Sequence, residues 1–397
     1  MNPIRKLFDN IKPYVEEGGK FHAFRSLVDG FETFAFVPNT TSRVGSVNIH
    51  DAIDSKRIMS FVVIALIPAL LFGMYNVGYQ NAALAGKLAE TSCWAMFLYG
   101  FLAVLPKILV SYIVGLGIEF VVAQWKNEEI QEGFLVSGIL IPMIVPVTIP
   151  LWMLALAVAF SVIFAKEIFG GTGMNIFNPA LITRAFLFFS YPSVMTGDNS
   201  VWVSGSKILG TGYDLQTDVL SGATPLGQAA VDTFQGFDCA TIHNAVIGLI
   251  PGSVGETSVI AIALGAILLL WTGIASWKIM CSVFVGGGLM ACLLDATLPA
   301  QDMAAHIPFY QHFVLGGFCF GAVFMATDPV TSARTESGKY IYGFLIGVIA
   351  VLVRVLNPGY PEGMMLAILM MNLFAPLIDY CFVQRNISKR LNRATTK

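Results

Sequence analysis

Charge is what this sequence has least of. Asp, Glu, Lys and Arg together make up 12% of its 397 residues, about half the roughly 25% of an ordinary soluble domain. That scarcity excludes a disordered chain and an ordinary cytosolic enzyme. The formal net charge is −2, so there is no basic field to neutralise phosphates, and nucleic acid is excluded as a partner. Metal-site spacing is missing too. The six cysteines, Cys93, Cys239, Cys281, Cys292, Cys319 and Cys381, form no CxxC pair, and five lie in apolar runs, where a free thiol acts as a small buried hydrophobe. The five histidines show no HExxH pairing. The run Gly286-Gly287-Gly288 sits inside an apolar stretch with no strand before it, which reads as close helix packing and not as a nucleotide loop. The chain is therefore not expected to bind NADH by itself. Residues 1–50 carry no apolar stretch of the kind that marks a secretory signal.

Apolar residues are what the sequence has in excess: 56% hydrophobic and a mean hydropathy of +0.71. A bilayer core of about 30 Å takes roughly 20 apolar residues in a helix. On that rule ten spans are predicted, at 58–79, 93–123, 133–148, 150–167, 179–193, 257–275, 278–297, 312–327, 340–356 and 362–383. The second is long enough to be tilted or broken at Pro106. The third, fifth and eighth are too short to cross simply, and broken helices survive only where protein or a cavity satisfies their freed backbone groups.

Lys and Arg set the expected orientation. Residues 1–57 hold eight of them and residues 384–397 hold five, whereas residues 194–256 hold Lys207 against six acids. Both termini are thus expected in the cytoplasm and the 194–256 loop outside. The predicted fold is an all-α polytopic membrane protein with ten transmembrane helices, arranged as two inverted five-helix repeats with broken helices. Its parts are a tail (1–57), repeats at 58–193 and 257–383 flanking the outer loop (194–256), and a basic tail (384–397). A gapless alignment of 132–150 with 311–329 matches Phe134 to Phe313, Gly138 to Gly317, Thr148 to Thr327 and Pro150 to Pro329, a faint echo of duplication. Inverted repeats with broken helices typify folds that bind ions or substrates near the midplane. In the tail, Phe21, Phe24, Leu27, Val28 and Phe31 recur at helical spacing, a pattern that suits either an amphipathic surface helix or packing on the protein's own cytoplasmic loops.

Charged residues inside membrane spans are costly and functional by default. Lys107, Glu119, Arg184, Asp295, Arg354 and Asp379 lie within or at the ends of spans, and Glu132, Lys166, Glu167 and Asp328 at cytoplasmic ends. For these last four, snorkelling to water is the plainer expectation. For Asp379 the plainer expectation is an interfacial ion pair with Arg385.

The outer loop contains Asp218-Val219-Leu220-Ser221-Gly222-Ala223-Thr224, a small-residue turn that presents a hydroxyl. In a ten-span protein this D-x-x-S-G-A-T run resembles the flavinylation motif of the NqrB/RnfD family, the membrane subunits of Na+-translocating NADH:quinone oxidoreductases and their Rnf relatives. The resemblance extends over nearly the whole chain, through Phe169-Gly170-Gly171-Thr172-Gly173, Asn178-Pro179-Ala180, Ile250-Pro251-Gly252-Ser253, Met325-Ala326-Thr327-Asp328-Pro329 and the stretch from Tyr360 to Met365. It implies FMN joined through its phosphate to the Thr224 hydroxyl by a flavin transferase that reads Asp218, Ser221, Gly222 and Ala223. It also implies a non-covalent riboflavin, with Thr172, Asn175 and Asn178 as candidates against the plainer role of capping the helix before Pro179. Quinone is sought at Gly133 and Phe134, and a sodium pathway at Glu132, Asp328 and Asp379. The implied activity is electron transfer through these flavins to quinone, coupled to sodium movement in the bacterial inner membrane. The partners implied are an NADH-oxidising flavin/iron–sulfur subunit and a second FMN-carrying subunit. Two alternatives remain open here: the D subunit of a ferredoxin-coupled Rnf complex, and a redox-inactive inverted-repeat solute channel. The long tail before the first span favours the quinone reductase over Rnf, and the modification motif speaks against the channel.

Overall fold

The structure is a computed structural model that describes residues 55–126, 133–216, 220, 222–230, 239–299, 303–357, 359 and 362–395, with positions 10, 11, 13, 14 and 28. Phe21, Phe24, Leu27 and Phe31, and with them the amphipathic pattern, lie outside the described residues, as do Glu132, Asp218 and Ser221.

The described chain is helical, with no named strand and only the isolated antiparallel bridges Asp198–Ala223 and Ile208–Thr211. Two long helices come first, α1 (Ser55–Leu84) and α2 (Cys93–Lys126). At 1.5 Å per residue α2 measures about 50 Å, and it runs unbroken through Pro106, so of the two expected outcomes the break does not occur. α3 (Phe134–Ile144) is about 16 Å long, too short to cross, and stops at the extended Val145. α4 (Leu151–Ser161) continues as a π-helical turn, Val162–Lys166, and a 3-10 turn, Glu167–Phe169. Gly170, at φ +112, ends it. α5 (Pro179–Ser190) begins on the Asn178 cap.

Among its described residues the connecting region carries a 3-10 turn, Pro192–Val194, and the short helices α6 (Asn199–Trp202), α7 (Pro225–Ala230) and α8 (Cys239–Ile247). Then follow α9 (Val259–Trp271), α10 (Trp277–Thr297), α11 (Phe309–Val314) and α12 (Phe318–Phe320), which passes into a second π turn, Gly321–Met325. α13 (Glu336–Leu356) and α14 (Met364–Thr395) close the chain.

Six of these helices, taken over 58–84, 93–126, 151–169, 277–297, 336–356 and 364–394, are long and apolar enough to cross a membrane, while α3, α5 and α9 are apolar but shorter. The expected sixth span is trimmed to α9 at both ends. Ser258 caps its start by accepting from the Ala261 N–H, and beyond its end the chain turns at Gly273, at φ +72. The expected eighth span is broken at Leu315–Gly317 into α11 and α12. α14 carries on through the basic segment after residue 383 as far as Thr395.

Close packing uses glycine. A Cβ on Gly286 would run into the Phe344 carbonyl, and one on Gly347 into that of Val283, so α10 and α13 meet backbone to backbone, as small-residue faces allow. This is the role expected of the glycine run.

Candidate functional site

Thr224 stands at the start of α7, where the loop is held from three sides. Its hydroxyl donates to the Gly197 carbonyl (3.0 Å) and accepts from the Gly227 N–H (3.1 Å), and its own N–H donates to the same Gly197 carbonyl (2.9 Å). The Asp198–Ala223 bridge and the Asn199 N–H to Gly222 carbonyl bond (2.8 Å) continue this pairing. Gly222 is at φ +149, where a side chain is strained. Gly197 and Gly227 touch so closely that a Cβ on Gly227 would lie 2.5 Å from the Gly197 oxygen. An ester at Thr224 would lose only the hydroxyl's donor role. The oxygen still accepts from Gly227, and the main-chain bond to Gly197 is untouched.

Thr224, Ala223 and Gly222 line a cavity of about 600 Å³ with Trp202, Pro251, Ser253 and Leu315. That is the size range of small-molecule and cofactor sites, with room for a tricyclic flavin, so the residues present fit the group the sequence implies. Into its wall project three buried charges that sequence reading did not connect. Arg184, on α5, donates to a Glu256 carboxylate oxygen at 2.8 Å and pairs with Glu362. The Ser253 hydroxyl holds the other Glu256 oxygen, and the Trp202 ring lies 5.8 Å from the Arg184 guanidinium. Burial holds the Glu362 carboxyl, in the loop before α14, above the ordinary range, against the pull of Arg184. Nearby, Arg354 donates to the carbonyls of His312 (2.6 Å) and Leu315 (3.0 Å), filling acceptors freed where the α11–α12 helix breaks. Arg184 and Arg354 were visible in the sequence as charges in apolar runs. Glu256 and His312 carried no such flag.

A second polar cluster forms where the α4–α5 loop meets the turn after the second π segment. Thr172, Asn175, Asn178, Gly133, Lys166 and Asp328 all line one cavity of about 70 Å³. Asn178 does two things: its oxygen caps α5 by accepting from the Ala180 N–H (2.9 Å), and its amide donates to Asp328 (3.2 Å). Capping, the plainer expectation, is therefore real but not the whole role. Asp328 also accepts from the Val330 N–H (3.0 Å) and the Thr331 hydroxyl (3.1 Å), while burial raises its carboxyl above the usual range. The Thr172 hydroxyl is buried with no partner among the described residues.

This cavity admits an ion and a few waters. As the described residues close it, this cavity is smaller than a tricyclic flavin. Lys166 does not snorkel. It is 3% exposed and paired with Glu119 across α2 and α4. The π turn, a feature frequent at functional sites, places it there. Phe134 is fully buried, edge-on to Tyr112 at 6.5 Å and packed on Gly115, which is a packing role; of the two quinone candidates only Gly133 borders the cavity. Asp379 lies elsewhere. It accepts from the Arg334 N–H (2.8 Å), the Thr335 N–H (2.9 Å) and the Thr335 hydroxyl (2.6 Å), so it fastens the start of α13 and does not line the Asp328 cavity. No group of three or more His, Cys, Asp or Glu poised for a metal occurs among the described residues.

Comparison with known proteins bears on the chain as a whole. The sequence model of the NQR2, RnfD, RnfE family matches residues 43–388. The B subunit of the Na(+)-translocating NADH-quinone reductase of Chromohalobacter salexigens is 45% identical over 410 residues, covering 98% of this chain and 96% of that one. The corresponding B subunit of Pseudomonas aeruginosa is 42% identical and that of Azotobacter vinelandii 41%, each covering 98% of this chain and 99% of the relative.

Proposed function

Since the chain belongs to the NQR2, RnfD, RnfE family, we propose that it is the membrane-embedded B subunit of a Na+-translocating NADH-quinone reductase, carrying FMN on Thr224. The observation that carries the reading is the position of the Thr224 hydroxyl on the wall of a cavity large enough for a flavin. When bound, the flavin supplies one- and two-electron redox chemistry, and the protein supplies placement and electrostatics. Gly197 and Gly227 fix the tether, and Arg184 and Trp202 set the charge and shape of the chamber.

Electrons would arrive from a partner subunit that oxidises NADH, pass through a second FMN-carrying subunit and this flavin, and reach quinone by way of riboflavin. Asp328 and its neighbours are proposed as a sodium station at the second cavity. A riboflavin near Thr172 and Asn175 would need more room than the described residues leave there. The proposed membrane plan is ten helical segments in two inverted repeats in the bacterial inner membrane, with both termini in the cytoplasm. Six long helices with shorter and broken ones between them support that plan.

The family also includes Rnf subunits, so the choice within it needs its own support. The curated relatives each cover 98% of the chain, so most of the tail that precedes the family match is shared with quinone reductase subunits. The test is genetic and biochemical. Membranes lacking this chain should lose sodium-stimulated NADH oxidation by quinone and regain it when the chain is restored. Loss of ferredoxin-dependent NAD+ reduction instead would assign it to an Rnf complex, and loss of neither would overturn the reading.

A further inference from the structure

We propose that Arg184, Glu256 and Glu362 form a proton site governed by the redox state of the cofactor in the Thr224 cavity, with Glu362 as the residue that takes the proton. The inference rests on the proposed flavin at Thr224.

The two carboxylates share one guanidinium but are unequal. Glu256 has both oxygens engaged, one by Arg184 and one by the Ser253 hydroxyl. Glu362 has one oxygen on Arg184, while the other, Oε1, is buried with no hydrogen-bond partner among the described residues. A carboxylate with one naked buried oxygen gains most from a proton. Burial raises its carboxyl range, and the Glu256 carboxyl facing it acts in the same direction, against the pull of Arg184 and Arg354.

The remaining groups around it do not compete for that role. Arg354, from α13, points its guanidinium at main-chain carbonyls, including that of Glu362 itself (3.3 Å). His312, from α11, is fully buried, with neither ring nitrogen bonded among the described residues. Its backbone carbonyl faces the Arg354 guanidinium, and a second buried positive charge beside that one would be unpaired and costly, so the imidazole is neutral. The Cys319 thiol, on α12, donates to the Phe313 carbonyl at 3.1 Å. Two guanidiniums and two carboxylates therefore balance when Glu362 is ionised.

An electron delivered to the cavity by the NADH-derived chain adds one negative charge. One proton from the aqueous phase, forming an O–H bond on the Glu362 carboxylate, restores the balance, and reoxidation releases it. Charges in a weakly polar chamber interact strongly, and Glu362 lines the same cavity as Thr224, so electron and proton are coupled without contact between the groups.

Reduced-minus-oxidised infrared difference spectra of the purified complex test this. Buffered above pH 8, because burial pushes the Glu362 carboxyl up to about 8, the wild-type protein should show a carboxylic-acid C=O band on reduction that shifts in D2O. Glu362→Gln should lose it, and Glu256→Gln should keep it. Because a Gln variant can fail to assemble, Glu362→Asp serves as the second probe: the band should persist at a displaced frequency. A flavinylated wild-type complex with no such band, or a band unmoved in both Glu362 variants, overturns the proton site alone. A complex whose Thr224 peptide carries no flavin overturns the functional reading as well, so the two failures are distinguishable.

Discussion

The amide of Asn178 donates to the carboxylate of Asp328 at 3.2 Å across 150 residues of sequence, tying the cap of α5 to the turn that follows the second π segment. If this pair marks a sodium station, protonation of Asp328 and cation binding compete. Burial holds that carboxyl above the ordinary range, so the competition sets in at a higher pH than for an exposed aspartate. The apparent sodium affinity of the complex should therefore fall as pH is lowered toward it. Asp328→Asn should raise the sodium concentration for half-maximal turnover about tenfold or more, the scale of losing one charge-assisted contact, and should flatten the pH dependence. Sodium titrations of quinone reduction at several pH values measure both. A variant with unchanged sodium dependence removes Asp328 from the pathway.

The clamp around Thr224 separates attachment of a flavin from its placement. Gly227→Ala puts a Cβ 2.5 Å from the Gly197 oxygen, an overpacking that costs about 1–3 kcal/mol. It frees the segment without altering the hydroxyl. Covalent flavin per polypeptide should stay near the wild-type level while fluorescence anisotropy of that flavin in the native complex drops. Unchanged anisotropy would mean that the Gly197 contact does not position the cofactor.

Glu119 and Lys166 are a buried pair between α2 and the π turn of α4. Removing one partner leaves an uncompensated buried charge, which costs about 3–5 kcal/mol, whereas replacing both is far less costly. Lys166→Met should lower the thermal midpoint of the purified complex sharply, and Glu119→Gln combined with Lys166→Met should recover most of it. If the double variant is no better than the single one, the pair matters for more than charge balance.

Asp379 is predicted to be a fastener and not an ion ligand. It accepts two main-chain N–H groups and one hydroxyl at the start of α13. Asp379→Ala should speed hydrogen–deuterium exchange through Arg334–Lys339 by about tenfold, in line with a lost cap of about 1–2 kcal/mol. The sodium dependence of the surviving complex should stay as it was. A shifted sodium dependence with unchanged exchange would restore the pathway role.

Much of this architecture was legible in the sequence because the membrane enforces it. Long apolar runs become α1, α2, α10, α13 and α14, and the glycine run in α10 packs as its surroundings imply. The breaks were harder to read. Nothing in the hydropathy of 257–275 marks the Ser258 cap or the turn at Gly273 that shorten α9, and Pro106, the obvious breaker, is absorbed by α2. The loop threonine was found through a short motif. The three charges beside it were not joined, because Arg184, Glu256 and Glu362 come from separate segments and pair only through the tertiary fold. Of the readings Asn178 carried, the helix cap is present in the structure, and the same amide also reaches Asp328, a contact that nothing in the sequence marked. The contacts of Asp379 to Arg334 and Thr335 were not legible, because those residues lie 45 and 44 positions away in sequence.

The Thr224 hydroxyl carries the proposed function, and the most direct measurement is the mass of the peptide that contains it. The complex should be isolated from a host that supplies the flavin transferase, and digested beside a Thr224→Ala control. The prediction is an added mass equal to FMN less one water on the wild-type peptide, located to Thr224 by fragmentation and absent from the control. An unmodified Thr224 peptide from an assembled complex in that host would contradict the account, and the cavity beside it would then need another occupant.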